Sequence, residues 1–203
     1  TKNMKSLITF CILFILIINT FCFRATPIIT NLITSQVNNV DLYSKFEISF
    51  DLNDYANPYD ESIINVFCEF WSPSGEYFKV YAFYYQDFVK TNQNCTPYPC
   101  EVLNSNNEYC WKIRFTPDEI GKWQYKLTAA DNSGSITYPS SSLLNFKCIS
   151  SSNLGFITKA NNKFLKRTSG QFYFPVGENL AWYNSPDFWD TLYKNFLLYK
   201  NFG

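Results

Sequence analysis

Hydrophobic and polar positions alternate along the first part of the chain. In "KFEISFDL", Phe46, Ile48 and Phe50 fall on one side and Glu47, Ser49 and Asp51 on the other. "CWKIRF" sets Trp111, Ile113 and Phe115 against Lys112 and Arg114, and "KWQYKLTA" sets Trp123, Tyr125 and Leu127 against Gln124 and Lys126. A period of two with one polar side predicts antiparallel strands whose other side is covered. Turn residues fall between these runs. "SPSG", Ser72 to Gly75, separates "NVFCEFW" from "YFKVYAFYY"; "TPDEIG", Thr116 to Gly121, joins two strong strands; "DNSG", Asp131 to Gly134, closes another pair. About seven strands at this spacing, from Phe23 to Ser150, predict an immunoglobulin-like antiparallel β-sandwich. The polar stretch Thr91 to Asn107, rich in Asn and Ser, reads as a surface loop.

The pattern changes after "SSSNLG", Ser150 to Gly155. "FITK", "KFLKR" and "QFYFPVG" read as short strands, and "SPDFWDTLYKNFLLYKNFG" as a helix. Ser185 suits its N-cap, Pro186 its first turn and Asp187 its dipole, while Phe188, Leu192, Phe196 and Tyr199 recur at helical spacing; Gly203 fits the position just past the helix. A strand followed by such a helix is one βα unit, which needs neighbouring units to cover its sheet. A (β/α)₈ barrel takes roughly 250 residues, more than remain here. The expectation is a leader over 1–22, a sandwich over 23–150 and the start of a truncated barrel over 151–203.

Composition narrows the chemistry. The chain has 203 residues, 46% hydrophobic and 20% aromatic, with zero formal net charge, so it has no electrostatic footprint for nucleic acid. It contains no histidine. That removes Ser-His and Cys-His nucleophile pairs and His-ligated metals, and leaves acid–base work to Asp and Glu. No cofactor and no metal site are expected, and oligomeric state is left open. Met4 is the expected start; Lys5 and the apolar run Leu7 to Ile18 precede a cleavage region, Asn19 to Cys22. That run is shorter than the ~20 residues needed to span a bilayer, so a removed signal peptide is expected, with no stable membrane anchor. The destination is then secreted or extracellular, or a lysosomal or phagosomal lumen.

An oxidising compartment makes Cys68, Cys95, Cys100, Cys110 and Cys148 disulfide candidates more than zinc ligands. Cys95, Cys100 and Cys110 lie around "CTPYPC", where at least one local bridge is expected; five is odd, so one thiol is left over. Asn94, in "NCT", is the N-glycosylation sequon.

"SPSGEYFKVYAFYYQDF", "WKIRFTPDEIGKWQYKLTAADNSGS" and "SSNLGFI" together resemble the N-terminal sandwich of a group of glycoside hydrolases. "FYFPVGENLAWY" resembles the first strand of their catalytic barrel. The resemblance spans about Phe46 to Gly203. It implies a secreted enzyme cleaving O-glycosidic bonds of poly- or oligosaccharides with two carboxylates, which stand on either side of the scissile bond. In such barrels the pair sits on later strands, so the resemblance carries no catalytic residue onto this chain and implies that the chain alone is inactive. The alternative class is a non-enzymatic secreted carbohydrate-binding or adhesion sandwich.

Three segments carry candidate contacts. Glu178, Asn179 and Trp182 would stand at the barrel mouth, Trp182 stacking on a sugar ring or else packing beneath the barrel. Tyr81, Tyr84 and Tyr85, in "YAFYYQDF", offer either a carbohydrate platform or, the favoured reading, packing between sandwich and barrel. "DLNDYANPYDE", Asp51 to Glu61, gathers oxygen ligands but lacks the EF-hand spacing and glycine, and reads better as turns. Asp118 and Glu119 read as a solvated turn.

Overall fold

The computed structural model describes residues 26–36, 38–93, 100–175 and 177, and these form thirteen strands and no helix. The first ten build two sheets. One has the order β1 (Thr30–Thr34), β3 (Phe46–Asp51), β7 (Cys100–Phe115), β6 (Phe83–Gln93). The other runs β2 (Asn39–Asp41), β10 (Leu144–Ile149), β8 (Gly121–Asp131), β4 (Ile64–Trp71), β5 (Tyr77–Tyr81), with β9 (Gly134–Tyr138) also pairing β8. Every pairing is antiparallel except that of β2 with β10.

The alternating residues build the core. Phe46, Ile48, Phe50, Trp111, Ile113, Phe115, Trp123, Tyr125 and Leu127 are all buried, as their period-two spacing predicts. Ile64, Val66, Cys68 and Phe70 of β4 join them, with Phe146 and Cys148 of β10. The sheets meet through rings: Phe70 stacks on Phe115 at 4.1 Å and 9°, and Phe46 lies 4.4 Å from Phe146. Trp123 is fully buried, yet its indole Nε1 donates to the Glu119 carbonyl at 2.8 Å, so no donor is stranded.

Turn chemistry pins one end of this sandwich. In the Ser72–Gly75 hairpin the Gly75 N–H donates to the Ser72 carbonyl, with Gly75 at φ +94°. Glu119 then ties that hairpin to the β7–β8 turn, accepting from the Ser74 N–H and hydroxyl. Asp118 is exposed, as expected of a solvated turn, but Glu119 is a clamp between two loops. Those hydroxyl and amide donors hold the Glu119 carboxyl below its usual range.

Two expectations are corrected. "YFKVYAFYY" is not one strand: β5 belongs to one sheet and β6 to the other, with Ala82 between them as the crossing point. Thr91 to Asn107 is not simply a surface loop. Thr91–Gln93 end β6 and Cys100–Asn107 begin β7, paired from Gln93↔Cys100 to Gln86↔Tyr109. This pairing supplies backbone partners that Asn- and Ser-rich sequence does not announce. β3 pairs β7 only as far as Trp111, so β6 and β7 continue beyond it as a two-stranded arm.

A separate antiparallel sheet follows: β11 (Ile157–Lys159), β12 (Leu165–Arg167) and β13 (Phe172–Tyr173). It is fastened near Tyr43. Asn153 donates to the Tyr43 carbonyl, Ser151 to that of Leu42, and the Tyr43 and Phe156 rings meet edge to face at 5.4 Å. The three short strands expected here are present, as antiparallel neighbours. Of the expected βα unit only the start of its strand is described, Phe172–Tyr173, paired antiparallel with β12; its helix, Glu178, Asn179 and Trp182 lie outside the described residues, as does the leader.

Candidate functional site

The sandwich opens into a cleft at the end remote from Tyr43. Two recesses, of about 600 and 400 Å³, share Pro58, Tyr84 and Trp111 in their walls. Three segments build them. Tyr84 leaves β6 opposite Trp111 of β7, on the inner side of its sheet. Tyr109 follows on that side two residues along β7, past the edge of the core. The third wall is the segment between β3 and β4, whose Tyr59 is 71% exposed.

That segment folds on its own side chains. Asn57 Oδ1 accepts from the Tyr59 N–H, and Asp60 Oδ1 accepts from both the N–H and the hydroxyl of Ser62. These bonds hold the Asp60 carboxyl below its usual range, so it stays ionised. The Tyr55 hydroxyl reaches Asp131 at the end of β8, at 3.1 Å, which fixes the segment across the sandwich mouth. Among the described residues no group of three or more Asp, Glu, Cys or His is arranged to hold a metal ion. The oxygens of Asp51 to Glu61 serve turns and the cleft wall.

Tyr84 is the centre of the arrangement. It stacks on Tyr109 at 5.8 Å and 14°, meets Tyr59 edge to face at 5.6 Å, and backs onto Trp111 at 5.5 Å. Burial, followed by the neighbouring Tyr59 hydroxyl, raises its phenol above the usual value, so it remains neutral at any ordinary pH. Around the rings stand Asn57, Asp60, Glu61 and Asn65 in one recess and Asn53 in the other. Flat apolar faces bordered by amide and carboxylate oxygens can stack on a ring-shaped solute and accept bonds from its hydroxyls.

The three tyrosines singled out from "YAFYYQDF" are separated by the fold. Tyr84 enters the cleft. Tyr81 reaches the rim of the larger recess, but its ring lies on the outer face of the second sheet beside Phe67, with Lys79 Nζ 3.7 Å from the Phe67 ring centre. Tyr85 points the opposite way from Tyr84, onto the outer face of the first sheet, under Lys112 at 4.1 Å. That outer face is organised by Glu47. Its carboxylate accepts from Arg114 Nε at 2.6 Å and lies 3.4 Å from both Lys112 and Lys45. Partial burial would raise the Glu47 pKa, but the Arg114 bond and the two ammonium groups outweigh it and hold the carboxyl below its ordinary 4.5.

Cys68, Cys110 and Cys148 carry free thiols. Cys100 and Cys110 belong to the single strand β7, ten residues apart, or about 30 Å at ~3.3 Å per residue. A disulfide needs Cα atoms within about 7 Å, so these two do not bridge each other. Cys95 and Asn94 lie outside the described residues.

Sequence reasoning found Tyr84 but missed Tyr59, Tyr109, Asp60 and Glu61 as its companions. "NPYDE" holds an aromatic followed by two acids, which was the available signal, but nothing local says that β6 and β7 will stand beside it.

Residues 39–130 match the family model for a domain of unknown function, DUF5060. The match runs from β2 to the end of β8 and so includes every wall of the cleft. No curated protein matches the chain, and no solved structure does.

Proposed function

We propose that this chain is the N-terminal part of a secreted glycoside hydrolase, and that its DUF5060 region is a sandwich module that holds the glycan. The tyrosine-walled cleft carries this reading: Tyr59, Tyr84 and Tyr109 present ring faces beside Asn57, Asp60 and Asn65 at the open end of the sandwich. The cleft also lies away from the Tyr43 end, where Asn153 and Phe156 lead into the small sheet. Tyr84 then faces the cleft and not the small sheet that follows Gly155, which leaves it placed to meet a solute. Hydrolysis itself falls to a pair of carboxylates on later barrel strands, with Glu178, Asn179 and Trp182 as contacts at the barrel mouth.

Affinity electrophoresis of the full chain through gels containing soluble polysaccharides tests the module. Retardation by a glycan, relieved by Tyr84→Ala, is expected; migration unchanged in every gel removes the glycan-holding role. Reading the coding sequence past Gly203 tests the enzyme. Further βα repeats with Asp or Glu at strand ends support it, and their absence leaves the non-enzymatic carbohydrate-binding alternative.

A further inference from the structure

The cleft has a one-sided charge. Asp60 and Glu61 border the larger recess and Asp51 the smaller, and no Lys or Arg lines either among the described residues. The hydrogen bonds made to Asp60 and Asp51 come from neutral groups, the Ser62 amide and hydroxyl and the Asn31 amide, which leave the negative charge in place. Lys45, Lys112 and Arg114 surround Glu47 on the outer face of the first sheet, and Lys79 lies over the Phe67 and Tyr81 rings on the outer face of the second. The wall between the acids is made of tyrosine faces, whose negative π-surface attracts a cation lying over it.

Each of these features discriminates among sugars. A uronate or sulfated unit would bring its anion against the carboxylates. A neutral unit would find the stacking faces and hydrogen-bond acceptors but would leave the charge unanswered. A unit carrying a free ammonium group would use all three. We infer that the cleft selects glycans containing amino sugars with a free, protonated amine, the ring resting on Tyr84 and Tyr59 and the ammonium facing Asp60 and Glu61. This inference rests on the glycan-holding role proposed above and adds the chemical class of the ligand.

Calorimetric titration of the full chain with three oligosaccharide series tests it: glucosamine oligomers, the same oligomers fully N-acetylated, and galacturonate oligomers. Acetylation removes the charge and keeps the ring, so it isolates the ammonium. The glucosamine series is expected to bind at least ~10-fold more tightly than the acetylated one, about 1.4 kcal/mol, with galacturonate weakest. The preference is expected to shrink as salt is raised, since exposed charges are screened over about 8 Å at physiological ionic strength. Glu61→Gln should weaken binding of the glucosamine series several-fold more than binding of the acetylated series. Asp60→Asn should do the same if near-ultraviolet circular dichroism shows its turn intact. Tyr84→Ala should weaken all binding. Equal affinity for the glucosamine and acetylated series, or tightest binding of galacturonate, overturns the selectivity and leaves the glycan-holding role standing. Absence of binding in all three series also overturns the selectivity, and the glycan-holding role falls with it only if migration is unchanged in every gel.

Discussion

At the scale of single residues, charge and burial set the behaviour of Glu47 and the thiols. Glu47 has a folded pKa below its ordinary 4.5, so its contribution to stability is complete above that value and is lost as pH falls through the depressed one. Glu47→Gln should therefore cost about 1–2 kcal/mol at neutral pH, with the gap to wild type closing as pH falls through the depressed pKa, below 4.5. Denaturant titrations across pH would show this, and a pH-independent gap would contradict it. The three free thiols should differ in reactivity. Burial pushes the Cys148 thiol up to about 11 and Cys68 well above its usual value, while Cys110 is half-buried and only raised. Alkylation of the native chain followed by peptide mass spectrometry should modify Cys110 well before Cys68 or Cys148. Equal labelling of Cys68 would mean that its core is open. The identity of core residues was legible in the sequence because strand periodicity alone places Phe46, Ile48 and Phe50 together. Neither the ionic cluster at Glu47 nor the exposure of each cysteine follows from spacing, because both depend on which strands become neighbours.

At the scale of elements, two glycines join parts that the sequence keeps far apart. Gly155 has φ +84°, and a Cβ there would collide with Thr168 Oγ1 and the Tyr43 ring. Gly155→Ala should loosen the small sheet from the sandwich. Limited proteolysis should then cut faster near residues 151–156, while the sandwich keeps its melting temperature to within a few degrees; unchanged proteolysis would show that the attachment does not need this approach. Gly121, with φ +138°, begins β8 against Pro73, and a Cβ would lie 2.8 Å from the proline ring. Gly121→Ala should destabilise the sandwich itself by about 1–3 kcal/mol, read as a lower denaturant midpoint. The turns at Ser72–Gly75 and Asp131–Gly134 were readable because Gly, Pro, Ser and Asp have local conformational reasons to be there. The crossing at Ala82 was not, since "YFKVYAFYY" is β-forming throughout and the change of sheet is set by the partners, β4 for one half and β7 for the other. Polar composition likewise hid the long β6–β7 hairpin, whose order comes from cross-strand pairing.

At the scale of the whole molecule, the sandwich puts its rigid core between two differently used ends. Glu119, Ser74 and Pro73 close one, and the small sheet attaches beside it at Tyr43. The other is left open and lined by tyrosines and acids drawn from three separate segments. That assembly explains why the aromatic run was noticed in the sequence but its division between faces was not. Strand alternation sends Tyr84 and Tyr85 to opposite faces, so the run was never one surface. The central claim is that Tyr84 and its neighbours hold a glycan. Titration of the full chain with the oligosaccharide that retards it most in gels, beside Tyr84→Ala and Tyr85→Ala, tests this most directly. The account predicts that Tyr84→Ala weakens binding at least ~10-fold with the fold intact, whereas Tyr85→Ala, on the far face, leaves the affinity within about twofold of wild type. Equal affinity of wild type and Tyr84→Ala, or loss of binding in Tyr85→Ala alone, would contradict it.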